Sequence, residues 1–216
     1  VTDLWPWLAV VGLGAFHGLN PAMGWLFSVA LGLQHQSRAT VLWSLLPIAA
    51  GHAVSIAGVV ALVALARRVI DSDVLRWTAA AILIAFGLYR LAARHKPFAT
   101  GMQVDFADLT VWSFLMATGH GAGLMLVPVL LRLPMDDAHA AHMRWGNLPV
   151  TADASAAVLA VAAHTLAMLT VAGVIAVAVY EWVGLAFLRQ GWINLDLLWA
   201  LALFAAGALL LVPAML

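Results

Sequence analysis

Four histidines stand inside long apolar runs of this chain, in two matched pairs: His17 with His52, and His120 with His164. The ten Lys and Arg and the ten Asp and Glu all fall between those runs or at their edges. Imidazole is therefore the titratable group admitted to the centres. An ionisable side chain at membrane depth is costly, so by default it marks a functional site. Neutral imidazole suits transition metals, and the ions expected here are nickel, cobalt, zinc or copper. Met116 precedes His120 by four residues and Met168 follows His164 by four, so each thioether shares a helix face with an imidazole and would suit Cu(I). With no carboxylate inside the runs, magnesium and calcium are not expected. A histidine-only set can also relay protons. Two histidines on neighbouring helices can alternatively hold a haem axially.

Other residues join these histidines by spacing. Pro21 has no N–H, so the carbonyl four residues back, that of His17, is expected to lose its helical partner. Asn20 lies three residues beyond His17 and is expected on the same face, beside that carbonyl. Pro128 likewise frees the carbonyl of Leu124. Asn20, Ser55, Met116 and Met168 are thus candidate substrate contacts, with His17, His52, His120 and His164 as candidate metal ligands. His139 and His142, with Asp136 one turn before His139, form a second candidate cluster that could capture a metal at an entrance. Each feature has a plainer reading. A buried histidine can be an interhelical tie, glycines can simply let helices pack closely, methionine is common apolar filler, and residues 136–142 can be a solvated connecting helix.

The elements that must carry these side chains follow from composition. The 216 residues are 65% hydrophobic and 9% charged, where a soluble domain is about half apolar and a quarter charged. The chain reads as an integral membrane protein with the lipid bilayer as partner, placed in the bacterial cytoplasmic (inner) membrane. Net charge is zero, so nothing points to nucleic acid. The absence of cysteine excludes disulfides, thiolate metal sites, iron–sulfur clusters and thiol nucleophiles. No P-loop, dinucleotide fingerprint or serine–histidine–carboxylate set is present. Six apolar runs, about 5–33, 41–66, 74–93, 109–131, 154–180 and 196–216, are each long enough for a spanning helix. Their continuity argues against β-barrel strands, which alternate. Trp5, Trp7, Trp77, Trp145, Trp182 and Trp192 fit interfacial belts, and Arg76 and Arg90 are expected to snorkel to the headgroups. The loops on the two sides carry five Lys plus Arg each, so charge bias does not orient the chain. The basic cluster Arg90, Arg94 and Lys96 leans toward both termini outside the cytoplasm.

The runs also repeat. Gly12, Gly14 and His17-Gly18-Leu19-Asn20-Pro21 in the first run correspond to Gly119-His120-Gly121-Ala122-Gly123 and Pro128 in the fourth. His52 in the second run corresponds to His164 in the fifth. The chain thus reads as all-α and polytopic, one transmembrane domain over 1–216, with six helices in a 3+3 inverted repeat (about 1–96 and about 104–216). Inverted repeats with Gly/Pro-broken helices in corresponding positions are a plan of secondary transporters.

The six-span plan, the two halves and His17-Gly18-Leu19-Asn20-Pro21 resemble the small LysE-type exporters, nearest their nickel/cobalt efflux (NicO-like) group. Asn20 and Met23 stand where that group's first motif has an acidic residue and a second histidine, and its histidine-rich loop is reduced to His139 and His142. The resemblance implies export of a small cation or solute. Two rivals stay open beside a transporter. One is a haem- or metal-binding redox or enzyme subunit. The other is a non-catalytic membrane subunit, in a complex or homo-oligomer, with histidines as packing ties.

Overall fold

In the computed structural model of the protein, the described residues are 4–92, 105–131, 144–145, 148–149, 152–183 and 195–211. His139 and His142, with Asp136, lie outside them. The described chain is helical apart from a two-residue antiparallel ladder, β1 (Arg144–Trp145) with β2 (Leu148–Pro149).

The first apolar run is not one helix. Helix α1 (Trp5–Leu19) ends at Asn20, whose backbone is extended, and Pro21–Met23 form a 3₁₀ turn. Gly24, at φ 117°, then restarts the chain as α2 (Trp25–Gln34). That left-handed conformation is open to glycine without a Cβ penalty. Helix α3 (Arg38–Val69) starts at Ser37, whose hydroxyl accepts the Thr40 N–H, and runs 32 residues through Pro47. Helix α4 (Ser72–Ala92) starts where the Asp71 carboxylate accepts the Asp73 and Val74 N–H groups. Helix α5 (Phe106–His120) opens on a reciprocal capping box between Asp105 and Asp108. Gly121, at φ 71°, breaks it from α6 (Ala122–Leu130), and the two are bent by 56°. Helix α7 (Ala152–Ala178) ends in a π-helical turn, Val179–Val183, and α8 (Leu195–Leu211) follows.

Three of these helices are long and apolar enough to cross a membrane: Arg38–Arg67 within α3, Ser72–Ala92, and Ser155–Trp182. The bent pair α5–α6 brings the number to four if it counts as one span. Helices α1, α2 and α8 are apolar but shorter. The sequence reading of a single first span therefore gives way to two short helices, because Pro21 and Gly24 interrupt the ladder.

Helix α1 packs along α7, and α5 along α3. Helices α3 and α7 also pack on each other, as do α4 and α8, while α2 touches α7 and α6 touches α3. Glycine permits the closest of these contacts. A Cβ on Gly14 would strike the His164 carbonyl, and one on Gly51 the Thr110 carbonyl. Gly14 and Gly18 are four apart, the spacing that brings helix backbones together in lipid. Arg67 reaches across to donate to the Leu130 carbonyl (3.1 Å), capping the C-terminus of α6.

Trp5, Trp77 and Trp182 are exposed, as interfacial residues should be. Arg76 pairs with Asp73 (3.3 Å) and lies over the Trp77 ring. Arg90 departs from the expected snorkelling and is buried in the last turn of α4, where helix carbonyls favour a cation.

Candidate functional site

Three of the four mid-run histidines come together, and His120 does not join them. His17 from the end of α1, His52 from the middle of α3 and His164 from α7 form a triangle of rings. Their centroids are 5.4 Å (His17–His52), 4.9 Å (His17–His164) and 5.5 Å (His52–His164) apart. All three side chains are fully buried. The backbone contact at Gly14 and Gly18 presses α1 against α7, which sets His17 beside His164.

His120 stands apart from the triangle, behind Trp199 of α8. The Trp199 ring lies edge-on to His17 (4.7 Å between centroids) and edge-on to His120 (5.6 Å). Its indole N–H donates to the His120 backbone carbonyl, and Phe16 stacks on its other side at 5.1 Å. No spacing in the sequence singles out Trp199, an apolar residue in an apolar run. The structure buries it between the two halves.

The hydrogen bonds fix the ring tautomers. His17 Nδ1–H donates to the Leu13 carbonyl (2.6 Å), and His120 Nδ1–H to the Met116 carbonyl (2.8 Å). The two residues thus make the same bond to the carbonyl four positions back, each in the last turn before a helix break. His164 Nδ1–H donates across to the Val10 carbonyl (3.2 Å). A carbonyl only accepts, so Nδ1 carries the proton in each, and Nε2 is left with a lone pair. Nε2 of His17, Nε2 of His164 and both nitrogens of His52 are buried without a partner among the described residues. Each such atom costs about 1–3 kcal/mol when unsatisfied.

Ring spacing suits an ion. Three imidazoles each bound through one nitrogen at about 2.0–2.1 Å hold their centres about 5 Å apart. Ring orientation does not yet suit one: His52 and His164 are within 9° of parallel, and among the described residues no three ligating groups converge on one point.

The remaining candidates sort differently. The Asn20 amide oxygen accepts the Ala22 N–H (3.0 Å), and the Asn20 backbone N–H donates to the His17 carbonyl (3.1 Å). The carbonyl expected to be freed by Pro21 is therefore taken by the cap, and Asn20 serves the helix break. Ser55 shares a 2.9 Å hydrogen bond with Thr118, tying α3 to α5. Met168 is fully buried in an apolar cluster with Trp25, Val29, Leu45 and Ala172, which is core packing. Met116 is partly buried and contributes its carbonyl to His120.

Searches against protein families, curated proteins and solved structures find no match to this chain. The functional argument therefore rests on the site itself.

Proposed function

We propose that the protein is a membrane transporter that moves a transition-metal ion through the His17–His52–His164 triangle. The observation that carries this reading is the four unpartnered ring nitrogens on three fully buried imidazoles. Most buried polar groups in folded proteins are satisfied, and here four of the exceptions meet in one place. Nickel, cobalt, zinc and copper all accept imidazole nitrogen, and the ion is cargo rather than a resident cofactor. A site that must release its ion gains from rings that coordinate only after a rotation, unlike the closed shell of a structural zinc site.

Part of the packing pattern supports a 3+3 inverted repeat with six membrane-inserted segments, although the α2–α3 and α1–α6 contacts have no comparable counterpart among the described residues under the exchange. Exchanging α1 with α5, α2 with α6, α3 with α7 and α4 with α8 turns the α1–α7 contact into α5–α3 and the α2–α7 contact into α6–α3, and returns α3–α7 and α4–α8 to themselves. His17 and His120 occupy corresponding positions, each before a break. Broken helices in corresponding places border substrate sites in such transporters. This arrangement also fits the resemblance to LysE-type exporters of the nickel/cobalt efflux group, and a bacterial cytoplasmic membrane as its location. Trp199 stands between the ion triangle and His120.

A haem fits this geometry less well. A macrocycle would have to enter between helices whose backbones Gly14 and Gly18 hold in contact beside His164.

The direct test is ion flux in proteoliposomes. Replacing His17, His52 and His164 each with alanine is expected to reduce uptake of one transition metal at least tenfold. Unchanged flux in the triple variant would remove the proposal.

A further inference from the structure

A groove of about 670 Å³ runs between α3 and α7, on the side away from α1 and independent of the histidine triangle. Its walls are aliphatic, among them Leu42 and Leu46 of α3 and Gly173, Val174 and Val177 of α7. Leu42, Leu46 and Val174 are about half or more exposed. From Leu169 to Trp182 the α7 wall measures about 20 Å at 1.5 Å per residue. One leaflet of the hydrocarbon core is about 15 Å deep, so the groove reaches from headgroup level to the bilayer centre.

The headgroup end is marked by chemistry. Trp182 is exposed there, as expected at a membrane interface. Arg38 and Glu181 lie across the groove mouth, 2.9 Å apart. Their side chains are 61% and 31% exposed, and an exposed ion pair is weak. It can open to admit a partner that satisfies both charges. A phosphate would sit on the guanidinium, and an ammonium with N–H donors on the carboxylate. A headgroup with only negative charge meets Glu181 unfavourably.

We infer that the α3–α7 groove binds one phospholipid with a phosphoethanolamine headgroup, its phosphate on Arg38, its ammonium on Glu181 and an acyl chain along the aliphatic wall. The complementary charges at the mouth and the leaflet-length apolar wall select this occupant over a second copy of the chain.

The test is native mass spectrometry of the full chain in mild detergent. Ethanolamine, choline and glycerol phospholipids with identical acyl chains are supplied together. The expected result is one retained lipid per chain, with ethanolamine favoured several-fold. Glu181→Gln should move the preference to the anionic glycerol lipid, and Arg38→Gln should abolish the preference. Gly173→Phe should fill the groove and remove the lipid. A Cβ at Gly173 meets Leu45 only at ordinary contact distance, 3.4 Å, so an unchanged melting temperature is the accompanying control. The inference is overturned by equal retention of all three headgroups. It is also overturned by an unchanged headgroup preference in Glu181→Gln, or by a Gly173→Phe change that dissolves a dimer and leaves the lipid count unchanged. The Glu181→Gln arm decides the matter even if Gly173→Phe does not fold.

Discussion

Gly18 offers the sharpest single perturbation of the candidate site without touching a ligand. A Cβ there would lie 2.5 Å from the Met168 carbonyl and 2.8 Å from the Val171 Cβ. Backbone cannot rotate away as a side chain can, so α1 and α7 must part by about 1 Å to restore ordinary contact. Overpacking of this kind costs about 1–3 kcal/mol. Alanine also gains up to about 1 kcal/mol of helix propensity over glycine, so Gly18→Ala alone could look mild. Gly12 on the same helix supplies the control, because a Cβ there meets nothing within 4 Å. Gly12→Ala keeps the propensity gain and lacks the clash, so the two variants should differ by about 1–3 kcal/mol. The assay is reversible unfolding in detergent, paired with metal-binding titration. Gly18→Ala should weaken both, because separating α1 from α7 draws His17 from His164. Equal stability of Gly12→Ala and Gly18→Ala, or lowered stability with unaltered ion affinity, would refute the reasoning.

Three further perturbations follow. Trp199→Phe removes the indole N–H that serves the His120 carbonyl; a loss of about 1–2 kcal/mol is expected in the same unfolding assay, with ion release altered more than ion binding in stopped-flow measurements. A double-mutant cycle of Ser55→Ala with Thr118→Val should report a coupling of about 0.6 kcal/mol, the average for such bonds in membrane helices, and a coupling near zero would discount the 2.9 Å bond. Arg67→Met should loosen the end of α6 by removing its donor to Leu130, read as faster hydrogen exchange confined to residues 127–131, with global melting little changed.

Much of the fold was legible because apolar runs and punctuation residues act locally. Pro21 interrupts the first run as its missing N–H predicts, but the positive-φ breaks at Gly24 and Gly121 were not separable from the packing glycines, and α6 runs on through Pro128. The Asp105–Asp108 capping box that opens α5 lies in what reads as a polar hinge in the sequence. Which rings meet was not legible, since it depends on which helix faces pack. His52 and His164 come together because α3 and α7 cross, and His17 joins them through glycines whose effect lies on a different helix. His120, matched with His164 in the sequence, stays out of the triangle, with the Trp199 ring between it and His17. Asn20 shows the limit of face arithmetic. Three residues after His17 is the same face only while the helix continues, and the helix ends there. Met168 matched a ligand spacing yet fills core, because its face of α7 meets α2.

The most direct measurement is X-ray absorption of the purified protein titrated with each candidate ion. One ion per chain with imidazole nitrogens at about 2.0–2.1 Å, lost when His17, His52 and His164 are replaced together and kept when His120 alone is replaced, is the predicted result. No bound ion, or an identical spectrum from the triple variant, would contradict the account.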